Sequence, residues 1–136
     1  MKLVTKDIHC AVKSLLYFAK YPEKVITVDE LVKKLNMHRA FSRRILQALS
    51  RHKILKSFQG RGGGFTLNVR PDKIRIMDVM DIFHEKTDII DCLLEKGICP
   101  HPHKCLLMRK LANIETQLKD VLDRITIAKL LKSVGS

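Results

Sequence analysis

The stretch TVDELVKKLNMHRAFSRRILQALSR, Thr27 to Arg51, decides the fold. Thr27 and Glu30 stand at capping-box spacing, in which each side chain satisfies an amide left unpaired at a helix start, and Leu31, Val32 and Leu35 follow as apolar helix positions. Asn36-Met37-His38 interrupts that pattern. From Arg39 to Arg51, Phe41, Ile45, Ala48 and Leu49 recur on one helical face, and Arg39, Arg43, Gln47 and Ser50 fall on the other. A solvated face ordinarily mixes charges of both signs, yet Met37 to Ser57 contains no Asp or Glu. Two short helices about a tight turn, the second with a basic outer face, make a helix-turn-helix.

Working outward, ILKSFQGRGGGFTLNV places Ile54, Phe58, Phe65 and Leu67 around a tip of four glycines and Arg61. That pattern predicts a β-hairpin, a wing beside the helix-turn-helix, because glycine permits a positive φ in the tight tip. It is not a phosphate-binding P-loop, since no Gly-Lys-Ser/Thr follows. Upstream, Val12, Leu15, Leu16 and Ala19 predict a helix from about Lys6 to Tyr21, ended by Pro22. Downstream, RIMDVMDIFH, Arg75 to His84, predicts another, with Met77, Met80 and Phe83 inward. From Cys105 on, Leu107, Leu111, Ile114, Leu118, Val121 and Ile125 alternate spacings of four and three. Such a seam predicts a long helix packed along its length on another, either within its own domain or, as expected of a helix-turn-helix protein that pairs to read two half-sites, on the corresponding helix of a second copy. The fold class is therefore mainly α with a small β wing: a winged helix-turn-helix domain plus a long dimerisation helix.

Charge divides the chain as sharply as pattern does. Residues 1–75 hold 17 Lys and Arg against 5 Asp and Glu, whereas residues 76–136 hold 9 of each, so the whole net charge of +12 lies in the first half. An asymmetry of that kind points the first half at a polyanion, nucleic acid above all. No apolar run is long enough to span a membrane and the amino terminus lacks a secretory pattern, so a cytoplasmic protein with no membrane partner is expected.

In a reducing compartment clustered cysteines serve metals or redox chemistry more often than disulfides. The loop DCLLEKGICPHPHKCLL, Asp91 to Leu107, holds three of the four cysteines and two of the six histidines. Gly97, Pro100 and Pro102 exclude a regular helix there. Cys92, Cys99 and Cys105 with His101 or His103 could surround zinc, although the C-x-x-C knuckle common in zinc sites is absent. Thiolates equally hold iron-sulfur clusters, which accept a non-cysteine ligand. The same missing C-x-x-C argues against thioredoxin-like redox catalysis, and an enzyme is not expected.

Taken in order, the helix-turn-helix, the GRGGGF wing, the DVMDIF helix, DCL with three cysteines, the long helix and ITIAKLL resemble the winged-helix iron-sulfur transcription regulators, the Rrf-two family that includes IscR, NsrR and RirA. The resemblance runs from MKLVTKDIHCAVKSLLYFA to ITIAKLL, essentially the whole chain. It implies a homodimer on a palindromic double-stranded operator, its DNA affinity controlled by an iron-sulfur cluster, 2Fe-2S or 4Fe-4S, that senses iron, nitric oxide or redox state. Carried over by position, the cluster ligands are Cys92, Cys99 and Cys105. Where IscR-like members place a histidine three residues after the last cysteine, this chain has Met108. NsrR-like members use an acidic residue of helix one that reaches the partner's cluster, and the matching register here holds His9, with Asp7 and Cys10 as neighbours. The DNA-contacting set is Arg39, Ser42, Arg43, Arg44 and Gln47 on the second motif helix, with Gln59 and Arg61 on the wing. Gln59 stands where relatives usually carry a basic residue, which shifts that role toward Arg61. Residues 1–75 form the DNA-binding domain, and residues 76–136 the cluster loop and dimer helix, with a C-terminal segment packing back on the first domain. Zinc, or no cluster at all, is the alternative that the residues by themselves leave open.

Overall fold

A computed structural model of the chain describes residues 5–83 and 106–135; Cys92, Cys99, Cys105, His101 and His103 lie outside the described residues. The order is α1 (Lys6–Lys20), α2 (Val28–Leu35), α3 (Arg39–Arg51), β1 (Leu55–Phe58), β2 (Gly64–Leu67), a 3-10 turn (Pro71–Lys73), α4 (Ile76–Phe83), α5 (Leu106–Asp123) and α6 (Ile127–Gly135). Helices and one two-stranded antiparallel sheet thus give the winged helix-turn-helix.

Local chemistry explains the element ends. Thr5 Oγ1 accepts from the Ile8 amide to start α1, and Thr27 Oγ1 accepts from the Glu30 amide at 3.1 Å to start α2. The carboxylate of Glu30 does not return to Thr27 as a capping box would have it. It accepts from Tyr17 Oη at 2.5 Å and Lys24 Nζ at 2.8 Å, which ties α1 to α2. Those donors hold Glu30 below the usual carboxylate range, and the bond to Glu30 pushes Tyr17 up to about 12. Asn36 closes α2 in the left-handed region at φ 53° and sends the chain into α3.

The wing pairs Leu55 with Leu67 and Phe58 with Gly64. A third segment joins it: the Ile26 and Phe65 amides each donate to the other's carbonyl, at 2.8 and 2.9 Å, so the connection before α2 is stitched to the wing. Gly64 allows that approach, because a Cβ there would lie 2.7 Å from the Ile26 carbonyl oxygen. Gly64→Ala should therefore cost roughly 1–3 kcal/mol by forcing two backbones apart. At Gly62, where φ is +75° and nothing stands within 4 Å, alanine should cost only about 1 kcal/mol of backbone strain. Urea midpoints of the two variants check the order, and a Gly62 variant worse than the Gly64 variant would contradict it.

One buried cluster runs through both halves of the sequence. Ile8, Leu15 and Phe18 of α1 meet Leu31, Leu46 and Leu49 of the helix-turn-helix, Val79 and Met80 of α4, and Ile127 at the start of α6. α6 lies on α1, and α5 rests on α4. The junctions before α4 and after α5 are clamped: the Ile76 amide donates to the Ile125 carbonyl and the Ile127 amide to the Ile74 carbonyl, each at 2.9 Å, with Arg75 bridging Asp78 and Asp123. The helix has ended at Asp123, and Ile125 packs half-buried against the protomer's own core. Among the described residues, no helix is long and apolar enough to cross a membrane.

Candidate nucleic-acid interface

α3 is oriented by its buried face, Ser42, Ile45, Leu46, Ala48 and Leu49, which leaves Arg39, Arg43 and Gln47 in an exposed row at four-residue spacing. Where its first turn meets the wing base and the start of α2 there is a groove of about 240 Å³, lined by Asp29, Arg39, Arg43, Phe58, Gly63 and Phe65 among others. Arg39 is ion-paired with Asp29 across the groove mouth. Arg43 has no ion pair among the described residues. No acidic residue occupies the first turn of α3 and its cap His38 makes no side-chain cap bond, so the positive end of the helix dipole adds to the arginines. On the wing, Lys56 Nζ lies 5.5 Å from the ring centroid of Phe58, itself 41% exposed, and Gln59 and Arg61 are exposed. The arrangement can present guanidinium donors to base edges and cations to phosphates on one surface.

Two members of the expected set sit otherwise. Ser42 is fully buried, and its hydroxyl donates to the His38 carbonyl at 2.7 Å. It is small enough to lie inward and finds its partner one turn back, so it is a packing residue of α3 and not a contact for DNA. Arg44 remains exposed but leans toward α1, paired with Asp7 at 3.2 Å and 4.9 Å from the centroid of Phe41, whose ring also receives Lys6. Conversely, Asp29 and Phe58 line the groove and were not expected there. The signal for Ile26 lay in the β-branched run Val25-Ile26-Thr27, which favours extended chain beside the wing.

At the same amino-terminal end of α1, His9 is exposed, and Cys10 next to it turns into the core, where burial pushes its thiol up against the opposing effect of Lys13 and Lys6. Along α5, Leu107, Ile114 and Val121 are 48%, 49% and 57% exposed and Leu111 and Leu118 are half-buried. Of the α5 residues only Leu122 packs on the core as a hydrophobic among those described.

Residues 4–133 match the model of the Rrf2 family, described as iron-dependent transcriptional regulator. The chain belongs to the Rrf2 family. A chain of Aquifex aeolicus named as an HTH-type transcriptional regulator is 28% identical over 131 residues, covering 95% of this chain and 91% of its own length. The structure of T. potens IscR superposes with a TM-score of 0.76 at 19% identity, covering 98% of this chain and 88% of that one. That of CymR, the global cysteine regulator of B. subtilis, gives 0.77 at 20% identity, covering 98% and 99%. This Rrf2-family protein is thus a DNA-binding transcriptional regulator, and its relatives are regulators and not enzymes. Regulators with different names share the Rrf2 fold, so fold alone does not choose the signal.

Proposed function

We propose that the protein is a cytoplasmic homodimer that binds a palindromic operator and whose DNA affinity is set by an iron-sulfur cluster responding to iron, nitric oxide or redox state. The observation that carries the reading is the pairing of an open basic surface on α3 and the wing with an open apolar seam on α5, which follows the three-cysteine loop directly in sequence. Two copies joined along α5 would present two α3 helices to two half-sites, the usual arrangement of helix-turn-helix dimers.

Cys92, Cys99 and Cys105 are the residues that would hold the cluster, and their donor chemistry fits it: thiolates are its ordinary ligands and an imidazole can complete the set. His9 suits that fourth place because it is exposed on α1, free of the core that claims Cys10, and a neutral imidazole nitrogen is a competent metal ligand. When bound, a cluster supplies a centre whose integrity depends on iron supply, oxidants and nitric oxide. His9 of the partner subunit would tie the loop of one copy to α1 of the other. α1 packs on α3, so the state of the loop can bias the placement of the recognition helix.

Anaerobic purification followed by iron, sulfide and zinc counting and visible spectroscopy tests this reading. Bound iron with matching sulfide is expected, with a visible band abolished by replacing Cys92, Cys99 and Cys105 together, and the iron count separates 2Fe-2S from 4Fe-4S. His9→Ala should change the spectrum or shorten the cluster's lifetime while the protein stays dimeric. Zinc without sulfide, or no metal in freshly purified protein, would overturn the cluster and leave the zinc-stabilised or cluster-free regulator. An unchanged His9→Ala protein beside a disrupted His101→Ala or His103→Ala protein would move the fourth ligand into the loop.

A further inference from the structure

We infer that Asp29 is a specificity-determining residue, whose carboxylate braces the Arg39 guanidinium in the groove between the recognition helix and the wing so that Arg39 reads a base. The inference rests on the proposed use of the α3 surface for operator recognition and adds a residue that touches no base itself.

Asp29 and Arg39 come from the first turns of α2 and α3, and the groove that both line opens between those turns and the wing. Their side chains are 57% and 59% exposed, so the pair itself adds little to folding stability; the carboxylate of Asp29 also stands in the first turn of α2, where it meets the positive end of the helix dipole. Glu30, the neighbouring acid, is engaged by Tyr17 and Lys24 and so has another task. Asp29 is therefore the acid that the groove retains, on a surface where negative charge repels phosphate and lowers affinity for DNA of every sequence. A feature that costs affinity generally can raise discrimination. A guanidinium carries five donors in one plane, so holding one edge with a carboxylate leaves the other edge aimed forward as a fork for guanine O6 and N7. Without the brace the same side chain is free to swing to phosphates on either side, a contact that carries no sequence information.

The probe is a duplex selected by the wild-type full chain from a random library, measured at one salt concentration beside a scrambled duplex of equal length. Asp29→Ala should bind the scrambled duplex more tightly, lower the ratio of selected to scrambled affinity about tenfold, and relax the preference at one base position per half-site. Arg39→Ala should relax that same position. Asp29→Asn, which keeps an acceptor and loses the charge, should fall between wild type and Asp29→Ala. A thermal midpoint within about 5 °C of wild type is expected for both Asp29 variants, as for loss of an exposed pair and of one acid in the first turn of a helix. Equal gains for both duplexes with unchanged base preferences would overturn the inference and reduce Asp29 to a general charge. So would an unchanged selectivity in Arg39→Ala while Arg43→Ala loses the selected duplex, a result that leaves the DNA-binding surface standing. Affinity unchanged in both arginine variants would instead remove that surface from the proposed function.

Discussion

Ile114→Asp should turn the proposed α5 dimer into folded single chains. Ile114 lies at the middle of the α5 seam and is 49% exposed in the protomer, so an aspartate there meets water as long as the chain is alone. In a dimer packed along α5 the same carboxylate would be buried without a partner in each copy, at a cost of about 3–5 kcal/mol for an uncompensated buried charge. A dimer dissociation constant raised at least about a hundredfold follows. Sedimentation at micromolar concentration should show monomers with an unchanged helical spectrum, and binding to a two-half-site operator should weaken far more than binding to one half-site. Leu118→Asp tests the same seam less cleanly, because Leu118 is already half-buried in the protomer and its replacement also touches the single chain. A wild-type protein found monomeric at that concentration with operator binding intact would end the dimer model, as would an Ile114→Asp protein that stays dimeric.

What could be seen in the sequence was what has a local cause. A capping threonine before α2, apolar spacing and a glycine-rich tip announce α1, α2, α3 and the wing, because each arises from groups a few residues apart. What escaped comes from distant partners. Ile26 joins the wing through two backbone bonds to Phe65, and Ile74 and Ile76 meet Ile125 and Ile127 in the same manner, neither of which needs a characteristic side chain. Ser42 was expected outward because a hydroxyl next to Arg43 looks polar, although one bond to the His38 carbonyl satisfies it where it is buried. Glu30 occupies a capping-box position and works as an interhelical acceptor, since Tyr17 and Lys24 outcompete the single amide it could reach. The Asp29–Arg39 pair has a similar origin: the ten-residue separation carries no helical periodicity, and only the turn between α2 and α3 brings the charges together. The cluster ligands stand apart from this contrast, because Cys92, Cys99 and Cys105 drew attention by chemistry and by family resemblance, and they lie outside the described residues.

Arg43→Ala should weaken operator binding by about 1–3 kcal/mol, the loss expected when a bidentate guanine contact is removed, and relax selectivity at one position of each half-site. The side chain stands one turn into α3, exposed, lining the groove beside the wing and without an ion pair among the described residues, so its truncation leaves no buried group unsatisfied and folding stability should hardly move. Arg61→Ala provides the contrast. It removes a charge from the wing tip, at a turn whose glycines place the backbone close to whatever the tip meets, so the loss should be nearly uniform across sequences and the salt dependence of binding should fall by about one counterion. Affinities for a selected duplex, its single-base variants and a scrambled duplex, each over a range of salt, separate the two behaviours. If Arg43→Ala lowered all affinities alike and flattened the salt slope, Arg43 would be a phosphate contact, and base reading would have to come from Arg39 or Gln47. If neither variant changed operator affinity, the α3 and wing surface would not be where DNA binds, and the excess positive charge of residues 1–75 would need a different partner.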